Sequence, residues 1–251
     1  MLKAFRALVL GALALLGAAR GVAAETVDLA LVLGADVSRS VDAGEFQLQR
    51  EGYAKALTDP RVLNAIRSGE NGAIAICYFE WAGIGEQQLV IDWTVVRSAN
   101  DAAAVAATLL GAPRSFWGRT AIGDAVEFAM RRLDKVKGQA PRQVIDLSGD
   151  GTNTNGRFPS AVRDEAVAAG ITINALVILS PVPIPMFPEH THPPGGLENY
   201  FKDYVIGGRG AFTLQVEGFA SFAQAIVQKL VIEISGVEPG PALAAALPAA
   251  D

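Results

Sequence analysis

Six apolar, β-rich runs recur along the chain, at Val27 to Gly34, Ala73 to Phe79, Leu89 to Val96, Gln143 to Leu147, Ile171 to Leu179 and Phe212 to Val216. Most are separated by segments whose apolar residues fall at three-and-four spacing: Glu45 to Leu57, Ala99 to Leu110, Ala121 to Val136, Ser160 to Ala169 and Phe219 to Ile234. Strands that alternate with helices predict a mainly parallel sheet covered on both faces. One connection breaks the rule, because the link Glu80 to Gln88 is too short for a helical crossover. Leu89 to Val96 is therefore expected to pair antiparallel with the run before it, as an edge strand. The fold class is a doubly wound α/β domain, and 251 residues at 51% hydrophobic composition can bury one such core.

The two ends read differently from this body. Lys3 and Arg6 precede an apolar stretch from Ala7 to Ala19, and the small residues Val22 and Ala24 come just before Glu25. That is the pattern of an export signal, so residues 1–24 are expected to be a signal peptide and the protein periplasmic or secreted. The apolar stretch is short for a bilayer span, and no stable membrane span is expected; Arg20 beside the cleavage point leaves a retained anchor as the alternative. Residues 236–251, rich in Ala and Pro, read as a flexible tail, which leaves 25–235 as the working domain. Cys77 is the only cysteine, so no disulfide can form within the chain, and its apolar surroundings predict a packed, inert thiol. The net charge of -5 and the lack of any Lys/Arg cluster argue against a nucleic-acid partner.

Function has to be sought where strands end, since open α/β sheets place their ligands at the carboxyl edge. Asp36, Ser38 and Ser40 lie in Gly34-Ala-Asp-Val-Ser-Arg-Ser40, which leaves the first run, and Asp150 leaves the fourth. Thr120, in Gly118-Arg-Thr-Ala-Ile-Gly123, precedes a helix that feeds back toward the same edge. Two carboxylates and three hydroxyls meeting at one point suit a hard divalent cation, Mg²⁺ or alternatively Mn²⁺ or Ca²⁺, and leave a position open for a partner. The first three residues would equally serve to cap the next helix or form a turn. A site that folds without binding metal is the other alternative.

The order Asp-x-Ser-x-Ser, distant Thr, distant Asp resembles the metal-ion-dependent adhesion site (MIDAS) of von Willebrand factor A domains. All five positions match, and the resemblance extends over the order of elements from about Thr26 to Ser235. It implies that Ser38, Ser40 and Thr120 touch the metal, while Asp36 and Asp150 act directly or through water. More narrowly, the chain resembles a family of bacterial secreted A-domain-like proteins of unknown function, a likeness that implies a fold and a site but no activity.

Other motifs fall away on inspection. Asp150-Gly-Thr-Asn-Thr-Asn-Gly156 mimics a calcium loop, but aligning it puts Gly151 and Val162 at the two charged ligand positions. Gly111 to Thr120 has neither the spacing nor the lysine of a phosphate-binding loop. The only histidines, His190 and His192, lie in a long proline-containing segment, about 180–210, which reads as a lid or an insertion; both are expected to be incidental. Without a histidine on the scaffold, Ser-His-Asp catalysis is disfavoured, and the chain is expected not to be an enzyme. Asp146, inside an apolar run, needs a hydrogen-bond or ion-pair partner. Trp81, Phe116 and Trp117 are read either as an aromatic rim around the metal or as packing against loop backbone. The leading expectation is a metal-dependent binding module whose cation captures an acidic group of a protein or peptide. The alternatives are a metal-dependent hydrolase and a structural protein with a vestigial site.

Overall fold

A computed structural model describes residues 26–136 and 138–237; the expected signal peptide and most of the expected tail lie outside the described residues. Six strands, β1 (Leu29–Asp36), β2 (Ile74–Trp81), β3 (Gln87–Val96), β4 (Gln143–Gly149), β5 (Thr172–Leu179) and β6 (Thr213–Glu217), form one sheet in the order β3-β2-β1-β4-β5-β6. Every pairing is parallel except β2 with β3, which is antiparallel as the short link requires. That link is tighter than the sequence suggests: β2 runs through Trp81 and β3 starts at Gln87, leaving only five residues between them.

Eight helices cover the faces: α1 (Ala43–Leu57), α2 (Pro60–Arg67), α3 (Ala99–Gly111), α4 (Ile122–Leu133), α5 (Pro159–Ala168), α6 (Pro188–Thr191), α7 (Leu197–Tyr204) and α8 (Phe222–Ser235), the last entered through a 3-10 turn at Phe219–Ser221. The strand period of two sorts the core. Leu29, Leu31 and Leu33 of β1 pack with Tyr53, Val62, Val105 and Phe222 of α1, α2, α3 and α8. Ala30 and Val32 face the other way, toward Ile122 and Val126 of α4, Val162 of α5 and Phe201 of α7. Both faces are covered, which is why β1 is buried along its whole length. Periodicity in the sequence does not mark α2, which at eight residues is too short to show it. Asp59 nevertheless caps this helix by accepting from the Arg61 N–H, and Pro60 occupies the first turn, where its missing N–H costs nothing.

Asp146 on β4 has the partner it needs. The ammonium of Lys229, on α8, lies 2.6 Å from Asp146 Oδ1 and also donates to Glu233 one turn on. Asn174 Nδ2 donates to the same Glu233 oxygen at 2.8 Å. Burial first, and then the Asp146 charge, push the Glu233 carboxyl up to about 8. Cys77 is buried, and burial pushes its thiol up to about 11, as expected of an inert packing residue.

Candidate metal centre

The C-terminal edge of β1 and β4 gathers the five oxygen-bearing residues. Asp36 is the last residue of β1 and Asp150 follows the last residue of β4. Ser38 and Ser40 stand in the loop before α1, and Thr120 stands two residues before α4. Ser40 Oγ donates to Asp150 Oδ1 at 2.7 Å, Ser38 Oγ and Ser40 Oγ are 3.0 Å apart, and Thr120 Oγ1 donates to Ser38 Oγ at 3.2 Å. Asp36 Oδ1 accepts from the Ser38 N–H at 2.7 Å, while its Oδ2 is buried with no hydrogen-bond partner. Neighbouring oxygens around an octahedral ion with bonds of about 2.0–2.1 Å lie about 3 Å apart. The observed spacings therefore fit such an ion, and the orphaned oxygen of Asp36 is the group it would satisfy. Among the described residues no three His, Cys, Asp or Glu side chains gather at one point, so any cation held here needs the hydroxyls.

The capping alternative is answered by a different residue. Asp42 caps α1, accepting from the Glu45 N–H at 2.8 Å while Glu45 Oε2 accepts from the Asp42 N–H. The turn alternative holds for one oxygen only, since Asp36 Oδ1 closes a turn onto Ser38.

Backbone contacts lock the three loops together. Arg39 N donates to Gly118 O, Thr154 N to Thr120 O and Thr120 N to Thr154 Oγ1, at 2.8 to 3.0 Å. Asn153 Oδ1 accepts from the Ile122 N–H and so caps α4, which gives the Asn-rich loop after Asp150 its purpose. The Arg114 guanidinium gathers the Val37, Ser38 and Val41 carbonyls at 2.8 to 3.1 Å and stacks 3.5 Å from the Trp117 ring centre. Below, Arg50 pairs with Glu80 at 2.6 Å, and Glu80 accepts from the Ser115 N–H. Neither arginine stands out in the sequence. Trp81, which the sequence leaves available to a rim, is fully buried; Trp117 is exposed and Phe116 partly so.

Burial raises the Asp36 carboxyl well above the usual carboxylate range, and the nearby Asp150 charge adds to the shift. Burial likewise pushes Asp150 up to about 6, with Glu45 contributing. Both carboxylates thus lack a strong cationic partner among the described residues, since Arg114, whose charge lowers Asp36, is already engaged by the Val37, Ser38, Val41, Asp42 and Phe116 carbonyls.

The long segment after β5 is not an incidental insertion. Thr152 N donates to His190 O at 2.8 Å, and the His190 ring stands with Nε2 3.4 Å from Thr120 Oγ1 and Nδ1 3.5 Å from Thr152 Oγ1. Burial holds this imidazole below its ordinary value. The expectation that both histidines are incidental is therefore corrected for His190, which the fold carries to the site; His192 is exposed. Beside the five oxygens opens a cleft of about 930 Å³ whose lining includes Arg39, Arg119, Ile184, Phe187, His190 and Tyr200.

The fold is that of von Willebrand factor A domains. The chain is similar to proximal thread matrix protein 1 from the mussel byssus, in a structure described as having a zinc-occupied MIDAS motif (17% identity, TM-score 0.54, covering 83% of this chain and 48% of that one). It is also similar to the pilus adhesin SpaC from Lactobacillus rhamnosus GG in its open conformation (14%, 0.60, 84% and 30%) and to a von Willebrand factor type A structure from Catenulispora acidiphila (14%, 0.53, 83% and 42%). The chain spans half or less of each of these solved chains. A comparison with curated proteins found no match. The chain belongs to the family described as "Protein of unknown function (DUF1194)", which it matches over residues 26–238.

Proposed function

We propose that this chain is an exported binding module that grips a divalent cation with Asp36, Ser38, Ser40, Thr120 and Asp150 and uses it to capture a carboxylate of a protein or peptide partner. The observation that carries this reading is the buried, unpartnered Asp36 Oδ2 beside four oxygens at ligand spacing. Three neutral hydroxyls and two carboxylates leave the ion a Lewis acid able to take one more oxygen, and an Asp, Glu or terminal carboxylate supplies it. Arg39 and Arg119 line the adjoining cleft and favour the approach of an acidic ligand to a chain that is acidic overall. The zinc-occupied MIDAS of the mussel protein and the description of SpaC as a pilus adhesin support the reading by analogy of fold. Export rests on the leader-like residues 1–24, and among the described residues no helix is long and apolar enough to cross a membrane.

Peptides carrying Asp or Glu, and the same peptides with Asn or Gln, test it on the immobilised chain with a divalent ion or with chelator. Capture of the acidic set alone, lost with chelator and in Asp150→Ala, is expected. Equal capture of both sets, or capture that survives the chelator, overturns the carboxylate reading.

A further inference from the structure

We propose that the cleft beside the five oxygens is a subsite for a large apolar side chain, so that the partner is a peptide segment carrying an aromatic or leucine-like residue within two positions of its acidic one. The inference rests on the carboxylate-capture reading above and deepens it by naming the partner's second anchor. Ser40 and Thr120, two of the five oxygen-bearing residues, belong to the lining of this cleft of about 930 Å³, together with Ile184, Phe187, Pro193 and Tyr200. The oxygens and the apolar surface therefore share one continuous depression. Consecutive Cα atoms lie about 3.8 Å apart, so a segment whose carboxylate reaches the oxygens brings its neighbouring side chains over the apolar part.

Charge and shape select the occupant. Arg39 and Arg119 are exposed in this lining and in no ion pair among the described residues, and Glu189 is the one carboxylate of the lining, so the depression complements an acidic segment. Phe187 is 64% exposed, which leaves the apolar wall open to solvent. A small molecule is held by burying most of its surface, whereas a side chain projecting from a segment that crosses the opening covers such a wall from outside. A flat lipid surface does not enter a depression that also contains the polar Thr152 and Asn153. The wall is built before anything binds. Thr152 N donates to His190 O at 2.8 Å, His190 N to Phe187 O at 3.0 Å and Phe187 N to Ile184 O at 3.1 Å, while the His190 ring fills the space above Gly151, where an added Cβ would lie 2.2 Å from its Cε1. Pro185, Pro188, Pro193 and Pro194 restrict the backbone on either side. A preordered wall loses little entropy on binding, so its apolar contact appears as affinity.

Fluorescence anisotropy of labelled peptides with the full chain and saturating Mg²⁺ or Mn²⁺ tests this. The probes are Gly-Ser-Glu-Phe-Ser-Gly, versions with Phe moved one or two positions to either side of Glu, and the same peptides with Ser for Phe or Gln for Glu. The best Glu and Phe peptide is expected to bind roughly tenfold to a hundredfold more tightly than its Ser counterpart. Phe187→Ser should cut that gap to under about threefold, because the wall loses its largest apolar contact. Phe158→Ser, which changes an exposed phenylalanine outside the cleft, should keep the gap. Equal affinity for every Glu peptide wherever Phe stands, with capture lost in the Gln peptides and in chelator, overturns the apolar subsite and keeps carboxylate capture. A gap untouched by Phe187→Ser overturns the subsite as well, and so does binding of phosphatidylcholine vesicles that Phe187→Ser abolishes while the peptides show no Phe preference. A Phe preference shown equally by the Gln peptides or in chelator, or capture of none of the peptides, overturns both readings.

Discussion

Two places in this molecule bury a pair of carboxylates, and they are handled in opposite ways. In the interior, Asp146 and Glu233 share Lys229, an ammonium the chain itself supplies. At the edge, four residues further along the same strand and loop, Asp150 meets Asp36 with hydroxyls around them and no lysine or arginine in ion-pair contact among the described residues. A buried charge without a partner is costly, and the function proposed above has the edge cluster take its cation from solution. The first cluster holds α8 against the sheet. The second has no such ammonium among the described residues.

The contrast is broken most forcefully by removing the internal cation. Lys229→Met should cost about 3–5 kcal/mol in urea unfolding, with or without divalent ions, because Asp146 stays buried and unpaired. Stability unchanged in the variant would mean that the interior cluster is no more dependent on its ammonium than the edge is.

Asp150→Asn should act in the opposite sense. It keeps an oxygen to accept from Ser40 but removes a charge that burial disfavours, so the metal-free protein at pH 8 is expected to gain on the order of 1–2 kcal/mol. The same variant should lose divalent-ion binding by calorimetry. A metal-free variant less stable than the parent would show that the chain already satisfies Asp150.

Acidity sharpens the difference further. Asp36 and Asp150 have folded values raised above their ordinary one, so the metal-free folded state binds more protons than the unfolded chain, and their contribution to stability is greatest in acid. It is lost as pH rises from about 4 through about 6 and beyond. A bound cation reverses this by favouring the ionised forms. The melting temperature with ion minus that with chelator should therefore be near zero at pH 4 to 5 and grow through pH 6, while the contribution of Glu233, lost progressively as pH rises from about 4.5 to about 8, cancels in the difference. A difference independent of pH would remove the carboxylates from the binding step. The smallest effect is expected for Ser40→Ala, which deletes one neutral donor and should weaken the ion by roughly tenfold.

How much of this could be read before folding follows the same division. The six strands were legible because their apolar runs are bounded by turns, and the five oxygens were legible because each sits where a strand ends or a helix begins. Asp146 announced by its apolar surroundings that it needed a partner. Which partner was hidden, since Lys229 sits among the apolar residues of α8 and is brought to β4 only by the packing of that helix. His190 was hidden for a related reason. Its segment has no periodicity, and what delivers the ring is a backbone hydrogen bond to Thr152 and the empty space above Gly151, neither of which is written in residue type at position 190. Arg114 and Arg50 hold loops through carbonyls, and carbonyl partners leave no trace in sequence.

The central claim, that the edge cluster is completed by an ion from outside, is tested most directly by thermal unfolding of the full chain at pH 7.5 with chelator and with a saturating divalent ion, beside Asp150→Asn. A ligand at about a hundred times its dissociation constant adds about 2.7 kcal/mol, several degrees for a domain of this size. The account predicts that rise for the parent and none for the variant. A parent whose melting temperature ignores every divalent ion, or a variant that responds as the parent does, would contradict it.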